Sequence, residues 1–416
     1  MPTYASSKIA QLQVKAQSAW GTAADMTSGT SIIQCEIPSF DFPTELLEID
    51  SIRSGFFSPP PIAGARSGGT LTFKMRMHGW SSAGASGISD VPTEHTDALL
   101  LKYALGANLA DNYTTELGSG STTTNVKVGD GTTASLSAGV GIVVPSTTSG
   151  EYDLGMIKSG NGTPDPEELT LAFPLSRAVA SSGTIYGTNT VFLSTAITPL
   201  TFLWTGQNTG QNYTLSDVVV ESATISTSPA GHLEIDYSCK VGQWSQAPAG
   251  AGTSSYTVTD PYLPVAVGRH GGSLVTTTGS ANTELPVGDL TITITNTFVE
   301  ARQFAASEGI AQYILSDRNV SLSMSIPSTD ALTASAWADL VGTTGDAVRY
   351  ELGNYPGKMF GIYIPSPFYK TIQAEDQGGL HGLSVEMGVG NYSGDTAIQS
   401  PTAEASANTD FRIYFG

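Results

Sequence analysis

Period-two alternation that recurs twice, in the same sequence context, constrains this chain more than any other feature. Leu71, Phe73, Met75 and Met77 alternate with Thr72, Lys74 and Arg76; Val320, Leu322, Met324 and Ile326 alternate with serines. Such alternation marks a strand with one buried face. Each strand has an arginine close to its start, Arg66 and Arg318, and each is followed by the residues TDAL, at 96–99 and 329–332. Thr or Asp ahead of an apolar run reads as a helix N-cap, because its side-chain oxygen accepts an otherwise unpaired N–H of the first turn. Leu99, Leu101, Tyr103 and Leu105 in the first helix, and Leu332, Ala336, Trp337, Leu340 and Val341 in the second, can pack one face on a sheet.

The flanks repeat as well. Apolar–acidic segments ending in Arg, 45–53 and 296–302, follow strand-like stretches at 31–42 and 288–298. Downstream, 217–244 reads as a hairpin bent at "TSPAG", with Leu233, Ile235, Tyr237, Cys239 and Val241 alternating on its second arm. The later counterpart alternates Leu383, Val385, Met387 and Val389, with Phe411, Ile413 and Phe415 expected in the partner strand. An ordered series of matching elements favours an internal duplication. The expected organisation is a first unit over 1–106 and 201–245, a small β domain inserted over 107–200, a linker over 246–273 and a second unit over 274–416.

Composition agrees with a mainly β chain. Only 13% of residues are charged and 46 are glycine, which suits many short strands joined by turns rather than helices with Lys- and Glu-rich exposed faces. The net charge of −19 argues against a nucleic-acid reader built on clustered cations, though not against a surface past which nucleic acid slides. The start of the chain has no basic stretch followed by an apolar run of the signal-peptide kind, and no apolar run is long enough for a membrane span. Cys35 and Cys239 are too few for a disulfide framework and read as small core residues of a protein made in a reducing cytosol.

Chemistry is not visible in the sequence. His78, His95, His232, His270 and His381 are scattered without metal-ligand spacing, no GxSxG elbow occurs, and "VGDGTT" and "GNGTPD" are turn sequences that complete no phosphate loop. No catalytic, metal or cofactor-binding residue is therefore expected, and the chain is not read as an enzyme.

The opening "AWGTAA", the run "IPSFDF…LLEIDSIRSGFF…PPIAGARSGGTLTFKM", the insertion "VKVGDGTTASLSAGVGIVV" and the closing "GLHGLSVEMGVG…DFRIYFG" together resemble the major tail tube proteins of long-tailed bacteriophages. The resemblance implies tandem duplicated β-sandwich or half-barrel tail-tube folds, each with a flanking helix, plus the small β insertion. It implies a virion structural protein, assembled in the host bacterial cytoplasm, that polymerises into stacked rings forming the tail tube through which genomic DNA leaves. The family's long loop between early strands, which contacts the next ring, would fall on about 42–68, with Phe56 and Phe57 as anchors, Pro59, Pro60 and Pro61 stiffening the approach, and Arg66 at its end. The plain alternative there is a Pro-rich surface loop with its aromatics folded back.

With two folds per chain, a trimeric ring with pseudo-sixfold symmetry is favoured over a hexamer. An acidic lumen would repel DNA phosphates; Glu234 and Asp236, with Glu386 and Asp410 at the related positions, are the candidate lumen-facing acids, or else solvated outer-face residues. Implied partners are further copies of the chain, tail tip or initiator, tape-measure and tail terminator proteins, with no cofactor and no membrane. The competing readings are a capsid decoration protein, a host-binding β virion protein and, more distantly, a carbohydrate-active enzyme.

Overall fold

The computed structural model describes residues 11–27, 31–33, 35–36, 38–41, 43–44, 46–47, 62–64, 68–77, 96–110, 114–129, 139–161, 167–205, 212–229, 231–247, 272–278, 281–285, 288–303, 310–327, 347–376, 379, 381–390 and 410–416. The fold is mainly β, and its largest sheet curls into a half-barrel. Among the described residues one helix occurs, Thr96–Leu105, beginning at the first TDAL as its cap residues require. The second TDAL stretch lies outside the described residues.

Eight strands form the spine of the large sheet: β1 (Ser39–Phe40), β2 (Thr70–Arg76), β3 (Asn212–Thr227), β4 (Glu234–Lys240), β5 (Leu290–Arg302), β6 (Ile310–Pro327), β7 (Pro367–Asp376) and β8 (His381–Val389). Their spatial order is β1-β2-β4-β3-β5-β6-β8-β7, all antiparallel. The first four and the last four therefore follow one pattern, joined edge to edge where β3 pairs with β5.

The registers match too. Ile235 on β4 pairs with Met75 and Ile225, and Leu383 on β8 pairs with Ile326 and Ala374. Setting β4 on β8 in this register aligns two β-bulges. In β3 the ladder skips Glu221 between Val220–Cys239 and Ser222–Ser238; in β7 it skips Lys370 between Tyr369–Met387 and Thr371–Glu386. A bulge is a local feature that sequence must specify, so its recurrence at one position ties the two runs together. The backbone bonds Glu36 N–H to Lys74 O and Gly288 N–H to Ser325 O, both 2.8 Å, also fall at matched places.

β3 is long because it serves two ladders. Its first half pairs with Leu200–Thr205 and Gln243–Gln246, its second half with β4 and β5. Asp217, at φ 52°, marks the change of direction; its carboxylate accepts the Gly21 N–H at 2.8 Å and its own N–H is donated to Gln17 Oε1 at 2.9 Å.

The apolar face of the large sheet packs against a seven-stranded sheet with the order Ala281–Leu285, Gly272–Thr278, Ala347–Leu352, Phe360–Ile364, Arg412–Phe415, Asn189–Leu193, Gly106–Ala110. Phe73, Ile235, Ile292, Met324 and Val385 from one sheet share a core with Val348, Phe360, Ile413 and Val191 from the other. Leu100, Leu101 and Leu105 of the helix are fully buried in the same core.

The sequence reading placed Phe411, Ile413 and Phe415 beside 383–389. Instead Arg412–Phe415 lies between Phe360–Ile364 and Asn189–Leu193, while β8 is flanked by β6 and β7. Residues 412–415 are buried on both faces, which a central strand covered by layers on each side demands.

The far face of the seven-stranded sheet carries a third layer made wholly from residues between 114 and 187. Its six strands run in the order Thr114–Glu116, Thr184–Gly187, Gly141–Pro145, Tyr152–Asn161, Glu167–Leu171, Asn125–Val128. A bridge between Leu117 and Val128 joins the ends, closing a small barrel around Val126, Ile142, Val144, Ile157, Leu169 and Ile185. Two buried arginines of the middle sheet reach into this layer. Arg349 donates to Pro174 O and Ser176 Oγ at 2.7 Å and stacks on Phe173; Arg412 donates to Gly139 O at 2.7 Å.

Candidate functional site

Directly opposed residues in an antiparallel ladder project from the same face, so the registers define what the outer face of the half-barrel presents. One row runs Thr72, Ser238, Ser222, Thr295, Asn319. The next runs Lys74, Asp236, Thr224, Thr293, Ser321 and the third Arg76, Glu234, Ser226, Thr291, Ser323, Glu386, Thr371. The result is a continuous wall of hydroxyl groups crossing both four-stranded runs. Local chemistry explains it: Thr is at home on a half-buried pleated surface, and in "LTITIT" of β5 each inward Ile is matched by an outward Thr.

Three of the four acids singled out from sequence stand on this wall, each neutralised by a cation. Glu234 lies 3.2 Å from Lys74 Nζ and 3.4 Å from Arg76 Nε; Asp236 lies 3.5 Å from Lys74 Nζ; Glu386 lies 3.6 Å from Lys370 Nζ. Lys240 is likewise held by the bulge residue Glu221 at 3.1 Å. Burial pushes the Glu234 carboxyl up, but the hydrogen bonds and charges of Lys74 and Arg76 outweigh it and hold the group below the usual range. The hydrogen bond to Glu234 raises Lys74 in return, against its slight desolvation. The wall is thus polar and charge-balanced, not a bare acidic lining.

Two positions need correction. Glu386 matches Ser238 in register, not Glu234 or Asp236, which correspond to Gly382 and Ser384. Asp410 is absent from this face: it precedes Arg412–Phe415 in the seven-stranded sheet. Phe56, Phe57, Pro59, Pro60, Pro61 and Arg66 lie outside the described residues. The flanking strands Leu46–Leu47 and Ile62–Ala63 pair antiparallel. In the second run the strands matching β1 and β2 are β5 and β6, which form a hairpin. Toward the tip of its ladder, the pair Val299 and Ile314 is 54% and 47% exposed on one side of that hairpin, while Phe298 and Tyr313 bury the other side against Val219 and Trp20.

Among the described residues the spine has two open edges. β1 pairs only with β2, and β7 only with β8. The seam between the runs is sealed by a polar knot invisible from sequence. Asn296 donates to Ala104 O at 2.9 Å and Val220 O at 2.8 Å and accepts from Arg318 Nε at 2.6 Å; Arg318 also donates to Leu105 O and Ser194 O. Burial pushes the Arg318 guanidinium down to about 10. Cys239 is fully buried in the core and Cys35 packs against it, their thiols pushed up by burial, that of Cys35 to about 12. No group of three or more His, Cys, Asp or Glu among the described residues is arranged to hold a metal, and no described helix is long and apolar enough to cross a membrane.

No protein-family model matches the chain, and no curated protein matches it.

Proposed function

We propose that this chain is a structural protein that assembles into stacked rings forming a tube, the major tail tube protein of a long-tailed bacteriophage, and that the hydroxyl-lined face is the wall past which genomic DNA travels. One observation carries the reading: two four-stranded runs of the same order, register and bulge position lie edge to edge under one uninterrupted polar face. That is what a duplicated ring-forming unit requires. A protein that folds as half of a repeating wall ends in open strand edges, a liability in a monomer that ring closure removes.

The chemistry of the wall suits passage without capture. DNA binding draws on free Lys and Arg, whereas Lys74, Arg76, Lys240 and Lys370 on this face are all paired with carboxylates. Three chains would bring about 24 strands; at a spacing of about 4.8 Å and a tilt of about 40° the barrel radius is roughly 24 Å, wider than a DNA duplex after side chains are subtracted. Tail initiator, tape-measure and terminator proteins would be its partners in that assembly.

Negative-stain electron microscopy of the purified full chain at high concentration, with native mass of the rings, tests this. Hollow tubes with six lobes and three chains per ring are expected. Compact monomers or lone trimers that never stack, even with tail initiator added, would move the protein to a capsid-decoration or host-binding role.

A further inference from the structure

We infer that the small barrel is a hinged module, held on the seven-stranded sheet by a buried ionic latch that is closed while the carboxyl pair Asp153 and Glu351 keeps its protons and opens as the pair ionises. The inference stands apart from the ring reading above.

The connections set the hinge. The chain reaches the barrel from Gly106–Ala110 and leaves it into Asn189–Leu193, and these two strands pair with each other at one edge of the seven-stranded sheet. Only Thr188 separates the barrel strand Thr184–Gly187 from Asn189. The latch stands on Ala347–Leu352, three strands away from Asn189–Leu193, about 14 Å at ordinary strand spacing. Among the described residues the barrel shares no strand ladder with that sheet, so lifting it about its connections parts the latch end and breaks no ladder.

Both layers build the latch. Arg349 of the sheet, besides its bonds to Pro174 O and Ser176 Oγ, lies 3.5 Å from Glu351, and the Ser176 hydroxyl donates to Glu351 at 3.4 Å. On the barrel side Asp153 accepts the Arg177 N–H at 2.8 Å and lies 3.5 Å from its guanidinium, which also pairs with Glu151. Tyr152 donates its backbone N–H across the interface to Asn354 O at 2.9 Å. Glu351 is opposed by Gly361 and Gly361 by Tyr414, whose ring lies across the bare glycine toward Glu351. Even so, Glu351 Oε1, Arg349 Nε and the Tyr414 hydroxyl have no hydrogen-bond partner among the described residues.

A buried carboxyl short of donors resists ionisation. Burial pushes Glu351 from 4.5 up to about 7 against the pull of Arg349, with Asp153 adding to the rise and Ser176 and Arg177 opposing it; burial raises Asp153 as well. Tyr414 is held neutral by its burial, with Tyr363 beside it. Closure is therefore fully supported below the ordinary carboxyl value and loses that support as pH rises through the folded one. From Glu351 alone, the open population should rise about tenfold between pH 6 and pH 8.

The test uses the full chain with Cys35→Ser, too dilute to assemble, and follows thiol labelling at pH 6 and pH 8 by peptide mass, corrected for thiolate fraction with a model thiol. Met359→Cys puts a thiol beneath the barrel, and Met156→Cys does the same from the barrel side; both methionines lie in the core that the two layers share. The native Cys239, fully buried in the other core, reports global unfolding. Each introduced thiol should be labelled at least about tenfold faster than Cys239, since local opening precedes global unfolding. Its corrected rate should rise about tenfold from pH 6 to pH 8, and Glu351→Gln should remove most of that rise. Thermal melts confirm that each variant folds, and either methionine position suffices. Labelling no faster than Cys239 would overturn the hinge. Equal corrected rates at the two pH values, or a rise undiminished by Glu351→Gln, would overturn the latch.

Discussion

Replacing Asn296 with leucine should unseat the knot that joins the two runs. Asn296 is 1% exposed, and both carbonyls it serves are orphans by construction. Ala104 lies in the last turn of the helix, where carbonyls have no intrahelical partner, and Val220 lies beside the bulge, where the ladder is interrupted. Leucine has a similar volume but strands both acceptors, at about 1–3 kcal/mol each, and removes one acceptor from the buried guanidinium of Arg318, at about 1.5–3 kcal/mol. Allowing for the added apolar contact, the loss should be about 3–6 kcal/mol. Asn296→Asp keeps the Arg318 bond but loses both donors, so it should fall between wild type and Asn296→Leu. Urea unfolding at concentrations too low for assembly, followed by tryptophan fluorescence, would read this as a lower midpoint with an unchanged slope. An Asn296→Leu change below about 1 kcal/mol would refute the claim that the knot seals the seam, as would additivity with Arg318→Met, since groups in one network must couple.

Three further outcomes follow from particular contacts. Burial pushes the Glu351 carboxyl from 4.5 up to about 7 against the pull of Arg349, and raises Asp153 beside it. A carboxyl raised on folding contributes stability that is full below its ordinary pKa and lost as pH rises through the folded value, so the melting temperature should fall between pH 5 and pH 8, and Glu351→Gln should flatten that fall. Gly361 faces Tyr414 so closely that a Cβ would lie 2.0 Å from the ring, so Gly361→Ala should cost about 2 kcal/mol or more, whereas Gly288→Ala, whose nearest contact would be 3.5 Å, should melt near wild type. Glu234→Lys with Asp236→Lys should change stability by less than about 1 kcal/mol, the pairs being partly exposed, yet make assembled tubes retain duplex DNA in a salt-sensitive way; unchanged DNA delivery by intact tails would remove this face from the channel.

What the sequence discloses here depends on whether a strand has one covered face or two. β2, β6, the β3–β4 hairpin and β8 were legible because a wall of Ser and Thr alternates with buried Leu, Ile and Met. Arg412–Phe415 has the same surface pattern but sits between two covering layers, and nothing in four residues states which strand they will join. That is why Asp410 was misplaced. Arg349 and Arg412 were missed for a related reason: arginine in a short apolar strand reads as an outward residue, and only the third layer supplies the carbonyls that let it be buried. The hydroxyl rows could be read strand by strand, but their continuity depends on the β3–β5 pairing between residues far apart in the chain. Closure of the barrel at Leu117 and Val128 is equally non-local.

In the proposed ring each chain would supply two four-stranded runs already joined edge to edge. Half of the ring's seams, those of the β3–β5 type, form during folding, so assembly needs only the other half, and each internal seam forms at the high effective concentration of a tethered pair. The two runs differ in what the described residues between their strands build. The closed barrel, made from residues between 114 and 187, falls between β2 and β3 in the chain, and it lies on the far side of the seven-stranded sheet from the hydroxyl wall. If that wall lines the channel, the barrel must stand at the outer surface, on every second unit. End-on averages of such rings should therefore show six similar lobes inside and three protrusions outside. An outer profile with six equal protrusions would mean that six chains, not three, make the ring, and one with none would put the barrel, and with it the hydroxyl wall, on the wrong side.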